Sequence, residues 1–239
     1  MIVPENQKSV KLKSFNSTED GNNYINAITV DGYKHKDAFL VTQMPLPHTI
    51  IDFWKMIYDY NSPLIVMLND GKRTDDPSIG QYWPTEGLAR YHFYEVQVVT
   101  FEDHGTVIVR TIKLINTMNS RESPRRIVQL QFKEWPEDQI LPNSVSMLAL
   151  LNQVDRWYRG TTGGPITVHC LNGAERCGLF CITSYICDQL KTEHALDVFN
   201  TVKKLRANRP EFITSLEQYK FCYEIALELI DSYLLHRLN

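Results

Sequence analysis

The sequence lacks an apolar run of the length needed to cross a membrane, and its first residues do not resemble a signal peptide. We therefore expect no direct insertion of this chain into a membrane. Neither sign of charge dominates, since the formal net charge is −3 at pH 7, which argues against a general attraction to nucleic acid. Internal repeats and low-complexity linkers are missing too, so the sequence predicts an ordinary globular chain.

Cysteine is scarce, with five residues at irregular spacings, and an odd count does not suggest a disulfide framework. Three of them, Cys177, Cys181 and Cys187, fall on one predicted helix, which is the pattern of a reducing compartment. The paired Cys-x2-Cys and His-x3-His spacings of zinc sites do not occur, so the sequence predicts no metal site. No cofactor is predicted either.

The apolar residues make up 43% of the 239 residues, enough for one sizeable core. Their spacing predicts helices at residues 49–61, from Asn143 or Ser144 to Tyr158, at 195–207 and at 216–235, and strands at 64–68, 91–100, 107–115 and 126–132. Residues 14–23 and 70–80 are polar and typical of loops. Because strands and helices alternate, we predict an α/β fold, a twisted mixed β-sheet flanked by helices, in a single domain spanning residues 1–239.

The segment at 168–178 carries the most chemistry and reads Val-His-Cys-Leu-Asn-Gly-Ala-Glu-Arg-Cys-Gly. A turn and a buried strand are predicted before it at 164–168, and a buried helix after it at 179–186. A tight loop between a strand and a helix aims its backbone N–H groups at one point, which suits an anion. The same dipoles favour a thiolate at Cys170, and the planar guanidinium of Arg176 can grip two phosphate oxygens. The pattern predicts attack of sulfur on a phosphate monoester.

Glu175 lies within the same loop and argues against that chemistry, because its carboxylate opposes an incoming dianion. The size of the effect depends on whether this side chain faces the anion or the solvent, which the sequence leaves open. Cys170 as a buried structural thiol and His169 as a core histidine without chemistry are the alternative interpretations.

The loop resembles the signature of the protein tyrosine phosphatases. That signature is the continuous pattern His-Cys-x5-Arg-(Ser/Thr)-Gly, in which x5 stands for any five residues. Further segments resemble that family in the same order along the chain, and together they cover nearly all of it. They are Asn23-Tyr24-Ile25-Asn26-Ala27 with Asp31-Gly32-Tyr33, Thr42-Gln43-Met44-Pro45-Leu46 with Asp52-Phe53-Trp54, Val66-Met67-Leu68, Gln81-Tyr82-Trp83-Pro84, Trp135-Pro136-Glu137 and Gln218-Tyr219. The resemblance also implies a clipped N-terminus, with the aromatic residue that stacks on the substrate ring lying before Met1.

The resemblance implies a role for each residue of the site. Cys170 would be the nucleophile that passes through a phosphocysteine, Arg176 the phosphate clamp and Glu137 the general acid; an exposed loop glutamate is the alternative for Glu137. The phosphate-binding residues implied are Leu171, Asn172, Gly173, Ala174, Glu175 and Arg176. The supporting residues implied are His169, Cys177, Trp135, Pro136, Gln218, Thr214 and Arg73.

Five of these positions depart from the family pattern. Glu137 stands where the family has aspartate, and Glu175 where it has glycine. Cys177 replaces a serine or threonine, Arg73 stands where active relatives carry a glutamate that orients the clamp arginine, and Thr214 replaces the glutamine that positions the attacking water. Each departure touches a different part of the chemistry, so we expect little or no activity from the isolated domain.

This set of departures resembles the second, membrane-distal domain of two-domain receptor tyrosine phosphatases. The resemblance implies a catalytically impaired domain with a regulatory or binding role, in the cytoplasmic part of a single-pass membrane receptor. Its partners would be a catalytic sibling domain or a phosphotyrosine protein. Other hypotheses stay open: a slow but active phosphotyrosine phosphatase, a redox-sensing domain that uses Cys170, and a degenerate single-domain relative.

Overall fold

The structure is a computed structural model that describes residues 8–13, 23–70, 79–119, 121–136, 139–161 and 163–237. The candidate acid Glu137 and the departure at Arg73 lie outside the described residues. So do most of the two loops that were predicted from polar composition.

The described residues form one mixed sheet of nine strands. The strands are β1 (Ser9–Lys11), β2 (Tyr24–Val30), β3 (Phe39–Gln43), β4 (Leu64–Met67), β5 (Leu88–Tyr91), β6 (Tyr94–Asp103), β7 (Val107–Asn116), β8 (Arg125–Phe132) and β9 (Ile166–Cys170). They lie side by side in the order β1-β2-β3-β9-β4-β8-β7-β6-β5. The pairs β3–β9, β9–β4 and β4–β8 are parallel, whereas the outer pairs are antiparallel.

The parallel pairing brings the carboxyl ends of the four central strands to one edge of the sheet. Gln43 of β3 lies beside Cys170 of β9, and Met67 of β4 lies beside His169. Phe132 ends β8 at the same edge. In sheets of this kind, ligand sites form just outside the carboxyl ends of the strands. The topology therefore gathers Cys170 with the segments that follow β3, β4 and β8.

Five helices of the described chain flank the sheet. They are α1 (Ile50–Asp59), α2 (Ser144–Tyr158), α3 (Glu175–Glu193), α4 (Val198–Arg206) and α5 (Leu216–Arg237). Side chains of α2, α3, α4 and α5 share one buried cluster with alternate strand residues such as Val66, while α1 shares a second cluster with the intervening ones such as Met67. Successive side chains of a strand point to opposite faces, so the helices cover both faces of the sheet. The prediction of an α/β fold with a mixed sheet flanked by helices is confirmed.

The strand predicted at residues 91–100 is wrong at its start. Tyr91 ends β5 and pairs directly with Tyr94, the first residue of β6, across the two-residue turn of His92 and Phe93. His92 has a φ of 55°, a left-handed conformation that few residues other than glycine adopt. The aromatic character of this stretch favours strand throughout, so composition alone did not reveal the turn.

The thiols of all five cysteines are free and buried, and Cys177, Cys181 and Cys187 lie on α3 as predicted. None of the helices in the described ranges is long and apolar enough to cross a membrane. Within those same ranges, no group of three or more His, Cys, Asp and Glu side chains is arranged to hold a metal ion.

Gly178 allows α3 to pack closely against the segment before α5. A Cβ added at Gly178 would lie 2.5 Å from the ring of Phe212, which is itself fully buried. We expect Gly178→Ala to lower the free energy of unfolding by about 1–3 kcal/mol through overpacking, measured by urea denaturation. The matched control is Gly160→Ala, where the nearest atom to an added Cβ, the Trp157 carbonyl oxygen, is 4.0 Å away. Equal stability of the two variants would contradict the close packing.

Candidate active site

Cys170 lies at the junction of a strand and a helix. It is the last residue of β9, its side chain is 1% exposed, and α3 begins at Glu175. Neighbouring segments hold the junction from both sides. The N–H of Met44 donates to the Cys170 carbonyl at 2.6 Å, and the N–H of Leu68 donates to the His169 carbonyl at 2.9 Å. The end of the strand is thus fixed between the segments that follow β3 and β4.

The loop after Cys170 needs a glycine at its third position. Gly173 has a φ of 67°, and a Cβ there would lie 2.5 Å from the main-chain carbon of Thr42, so a larger residue has neither the conformation nor the space. Asn172 Oδ1 accepts the N–H of Ala174 at 3.0 Å and, while Cys170 is protonated, the Cys170 thiol at 3.3 Å. The loop therefore closes around the sulfur.

The surroundings of Cys170 favour its thiolate. Burial alone would raise the pKa of this thiol, but hydrogen bonds from the Cys177 side chain and from the N–H groups of Cys177, Ala174 and Gly173 outweigh burial and lower the pKa to about 6. Burial and the neighbouring Cys170 raise the pKa of Cys177, which therefore stays protonated and able to donate. A thiolate at a helix N-terminus is the nucleophilic form of cysteine.

His169 is a neutral, buried member of a polar chain. Burial lowers its pKa to about 3, so the ring carries no charge near neutral pH. Its Nε2 lies 2.8 Å from the hydroxyl of Tyr82, which accepts a hydrogen bond from the Gln129 amide at 2.6 Å. Arg110 Nη1 in turn donates to Gln129 Oε1 at 2.8 Å. This chain of contacts supports the backbone around Cys170 from the interior of the sheet.

Arg176 bridges the segments that follow β4 and β8. Its Nη1 donates to the carbonyls of Leu68 at 3.0 Å and Trp135 at 2.6 Å, and its Nη2 donates to the carbonyl of Pro136 at 2.7 Å. The guanidinium also lies over the Trp135 ring, 4.9 Å from its centroid. These contacts fix the cation at the same edge of the sheet as Cys170, so its positive charge lies close to the loop around the sulfur.

The structure resolves the orientation of Glu175 that the sequence leaves open. Its carboxylate accepts a hydrogen bond from the Thr214 hydroxyl at 2.9 Å in an exposed position. Glu175 is therefore tied to the segment before α5 and not to the loop around Cys170.

Gln218 serves the start of α5. Its Oε1 accepts the N–H groups of Thr214 at 2.8 Å and Ser215 at 3.4 Å, while its own N–H donates to the Ser215 hydroxyl at 3.2 Å. This reciprocal pair is a capping box, which satisfies backbone donors that the first turn of a helix leaves unpaired. The family resemblance of Gln218 and Thr214 gave no sign of this local role.

The structure gathers most of the residues that the sequence singled out. Residues 169–177, Trp135, Pro136, Thr214 and Gln218 all contribute to this edge of the sheet, with Leu171 partly exposed at the rim. Sequence reasoning assigned no role to Tyr82 or Leu68. A tyrosine hydroxyl within the apolar block at 81–84 was a signal for the first, whereas Leu68 contributes only a carbonyl and leaves no side-chain signal.

A strand, a Cys-x5-Arg loop and a helix N-terminus at the carboxyl edge of a mixed sheet define a phosphatase-like class of site. The family model described as protein-tyrosine phosphatase matches residues 1–228. The chain belongs to the protein-tyrosine phosphatase family, and the resemblance stated from its motifs is confirmed.

The relatives of the chain are receptor-type enzymes. It is 39% identical to receptor-type tyrosine-protein phosphatase alpha of Homo sapiens over 215 residues, which is 90% of this chain and 27% of that protein. It is 37% identical to receptor-type tyrosine-protein phosphatase epsilon of Homo sapiens over 233 residues, 96% of this chain and 33% of that protein. Receptor-type tyrosine-protein phosphatase U of Gallus gallus is 38% identical over 216 residues, 89% of this chain and 15% of that protein. The chain thus spans a third or less of the length of these curated relatives.

The hydrogen bond from Cys177 predicts how the reactivity of Cys170 depends on pH. Cys177→Ala removes one donor, so the pKa of Cys170 should rise from its value of about 6 and alkylation at mildly acidic pH should slow. Cys177→Ser supplies a stronger donor and should keep the pKa low. Peptide-resolved iodoacetamide rates between about pH 5 and 9 measure this, with Cys187→Ala as the control on the same helix. An unchanged Cys170 profile in Cys177→Ala would contradict the assigned contact.

Proposed function

We propose that this chain is an anion-binding but catalytically impaired tyrosine phosphatase domain, which acts by binding a catalytic sibling domain or other signalling partners. One observation carries the proposal. Backbone N–H groups lie beside the Cys170 sulfur and the Arg176 cation lies at the same edge of the sheet, which suits a phosphate group, while Thr214 and Gln218, which stand where the family positions the attacking water, are bound to each other and to Glu175.

Binding is supported by groups that do not depend on the departures from the family pattern. The N–H groups of Gly173, Ala174 and Cys177 lie near enough to the buried sulfur of Cys170 to lower its pKa. The N-terminus of α3 adds a partial positive charge, and Arg176 adds a full one. Because Glu175 is tied to exposed Thr214, water screens its carboxylate, and its repulsion of a bound dianion is on the order of 1 kcal/mol.

Turnover needs two chemical steps, and a departure from the family pattern should slow each of them. In the first, the Cys170 sulfur attacks phosphorus, the bond to the ester oxygen breaks, and the leaving oxygen takes a proton from an acid, the role expected of Glu137. The longer glutamate side chain places its proton differently from an aspartate, and a shift of about 1 Å can cost roughly a hundredfold. In the second, water attacks phosphorus and the Cys170 thiolate leaves. The Cys177 thiol stabilises that thiolate less than a hydroxyl does.

Positioning of the attacking water is impaired as well. Gln218 Oε1 is occupied by the N–H groups of Thr214 and Ser215, and the Thr214 hydroxyl is occupied by Glu175. Both side chains would have to give up these contacts before they could hold a water molecule against a phosphocysteine. This supports slow hydrolysis of any intermediate that forms.

The relatives support the proposed setting, because they are receptor-type phosphatases several times longer than this chain. We propose that the chain belongs to the cytoplasmic part of a membrane receptor. Its departures from the family pattern favour the second phosphatase domain of that receptor. A binding role toward the first domain or a phosphotyrosine segment is consistent with an anion site that releases no product.

The proposal predicts binding without appreciable turnover. We expect kcat on an aryl phosphate to stay well below about 1 s⁻¹, the low end of ordinary enzymes. Orthophosphate or vanadate should bind with a Kd of about 1 mM or tighter by calorimetry, and Arg176→Ala should weaken it by about tenfold. Cys170→Ser, which keeps the N–H groups and Arg176, is the matched control and should retain binding. A kcat near about 1 s⁻¹ that Cys170→Ser abolishes would show that the chain is a working enzyme. Equal anion binding by Arg176→Ala and the wild type would contradict the proposed anion site around Cys170 and Arg176.

A redox-sensing function is favoured by a second observation, the nearness of two buried free thiols: Cys177 Sγ lies 3.8 Å from the carbonyl of Val168 on β9, the strand that ends at Cys170, and each thiol shifts the pKa of the other. With hydrogen peroxide as oxidant, the Cys170 thiolate attacks one oxygen, the O–O bond breaks, and hydroxide leaves to give a sulfenic acid. The Cys177 sulfur then attacks the Cys170 sulfur, the S–O bond breaks, and the thiol proton leaves with the oxygen as water. The product is a Cys170–Cys177 disulfide that a thiol reductant reverses.

This second function predicts a specific cross-link. Peroxide treatment followed by a non-reducing digest and mass spectrometry should yield the Cys170–Cys177 disulfide in the wild type. Cys177→Ser should instead carry Cys170 on to the sulfinic acid, which thiol reductants do not reverse. Cys181→Ser, a thiol on the next turn of α3, is the control and should still form the disulfide. A Cys170 that stays reduced, or that is oxidised to the same products with and without Cys177, would rule out this pairing.

A further inference from the structure

A surface groove lies between α4 and α5, separate from the loop around Cys170. It has a volume of about 660 Å³, within the range of ligand-binding clefts. Residues of α4, of the segment before α5, and of the first turn of α5 line it. Those that matter for the argument are Phe199, Lys203, Arg206, Pro210, Ile213 and Tyr219.

One face of α4 supplies the apolar and basic side chains of this groove. Phe199, Lys203 and Arg206 follow one another at intervals of four and three residues, so they share a face of the helix. Phe199 is 59% exposed, which is unusual for a phenylalanine in a well-packed domain. Apolar surface is therefore presented beside positive charge.

The exposed apolar surface continues along α5. Leu216 is 62% exposed, Tyr223 42% and Leu227 62%, and the first of these lies in the same helical turn as Tyr219 of the groove. Their spacing of seven and four residues makes a single stripe on the helix. Tyr223 of the stripe contacts Tyr219 of the groove, with ring centroids 5.3 Å apart, so the two surfaces adjoin and fit an elongated, partly apolar ligand better than a small ion.

The backbone at the base of the groove is strained. Ile213 has a φ of 56°, and a β-branched residue in the left-handed region is a genuine outlier. Strain of this kind persists where the surrounding structure enforces it, and it is frequent at sites that clamp a ligand. The next residue, Thr214, also lines the groove.

The charge of the groove has one sign. Its lining contains Lys203 and Arg206 and, among the residues the structure describes there, no carboxylate. Two nearby carboxylates have partners, since Glu211 pairs with Arg209 Nε at 3.7 Å and Glu175 accepts from Thr214. Lys203 makes no ion pair with any described residue, and the neighbouring Lys204 is engaged elsewhere, since its Nζ donates a hydrogen bond to the Tyr185 hydroxyl at 3.0 Å.

We propose that the groove between α4 and α5 binds an acidic peptide segment of a partner protein, with a bulky apolar side chain seated between Phe199, Ile213 and Tyr219. Carboxylates on either side of that apolar residue meet Lys203 and Arg206. The volume is large enough for more than one side chain, and the two cations select against basic or neutral segments. The groove is distinct from the anion site around Cys170 and Arg176, because neither of these two residues lines the groove.

The test uses the whole chain and three synthetic peptides of equal length. One carries Leu-Phe flanked by glutamates, the second carries Ser-Ser flanked by glutamates, and the third carries Leu-Phe flanked by lysines. Amide shifts in two-dimensional NMR should move at Phe199, Lys203, Arg206 and Tyr219 with the first peptide only. The double variant Lys203→Glu/Arg206→Glu should weaken the binding of that peptide by about tenfold, as expected when two exposed ion pairs become two repulsive pairs.

Matched controls separate this site from the others. Lys220→Glu reverses one positive charge on exposed α5 outside the groove lining, half of the charge change in the double variant, and should leave the affinity within about twofold. Cys170→Ser and saturating vanadate should also leave the peptide affinity unchanged. A wrong assignment of the anion site at Cys170 and a wrong assignment of the groove therefore give different results. Shifts that map mainly to residues 169–173 would overturn the proposal. Equal binding of all three peptides, or a self-association that the double variant abolishes, would also overturn it.

Discussion

The hydrogen bonds onto the buried sulfur of Cys170 are the constraint on which the site depends. A thiolate that is 1% exposed would be costly if it were not compensated, and its donors are one thiol and three backbone N–H groups. Those N–H groups converge only because β9 ends at Cys170 and α3 begins within five residues of it. The left-handed turn at Gly173 and the absence of a side chain there make so short a connection possible.

The same junction couples the loop to the rest of the sheet. Arg176 takes the carbonyls of Leu68, Trp135 and Pro136 as partners, so the ends of β4 and β8 are held to the first turn of α3. In the interior of the sheet, the neutral ring of His169 is fixed by its hydrogen bond with the Tyr82 hydroxyl. Parallel order in the centre of the sheet is what brings these separate segments to one edge, and an antiparallel centre would have distributed them over two edges.

The sequence contained enough to predict the α/β fold, the bounds of α2 and the strand–loop–helix unit around Cys170, because these depend on local patterns of apolar residues and on the need for N–H groups at an anion site. It did not contain the direction of Glu175, which is decided by Thr214, a residue distant in the chain. It also did not reveal that Gln218 caps α5, since a glutamine three residues after a serine fits both a capping box and the family's last loop. The turn at His92 and the strain at Ile213 are backbone conformations that residue type argues against, so a pattern of residue types cannot predict them.

The departures from the family pattern affect the side chains expected to serve turnover more than the groups expected to bind an anion. Anion binding rests mainly on backbone N–H groups and on a helix N-terminus, which any residue other than proline supplies, together with the single side chain of Arg176. Turnover rests on side chains whose atoms must lie at fixed positions, where a shift of about 1 Å is expensive. Substitutions that keep the backbone path, such as Cys177 beside the sulfur or Glu175 bound to Thr214, would therefore lower turnover before they weaken binding. Under the proposed function the chain holds its ligand without releasing a product, and binding is the role that this geometry supports best.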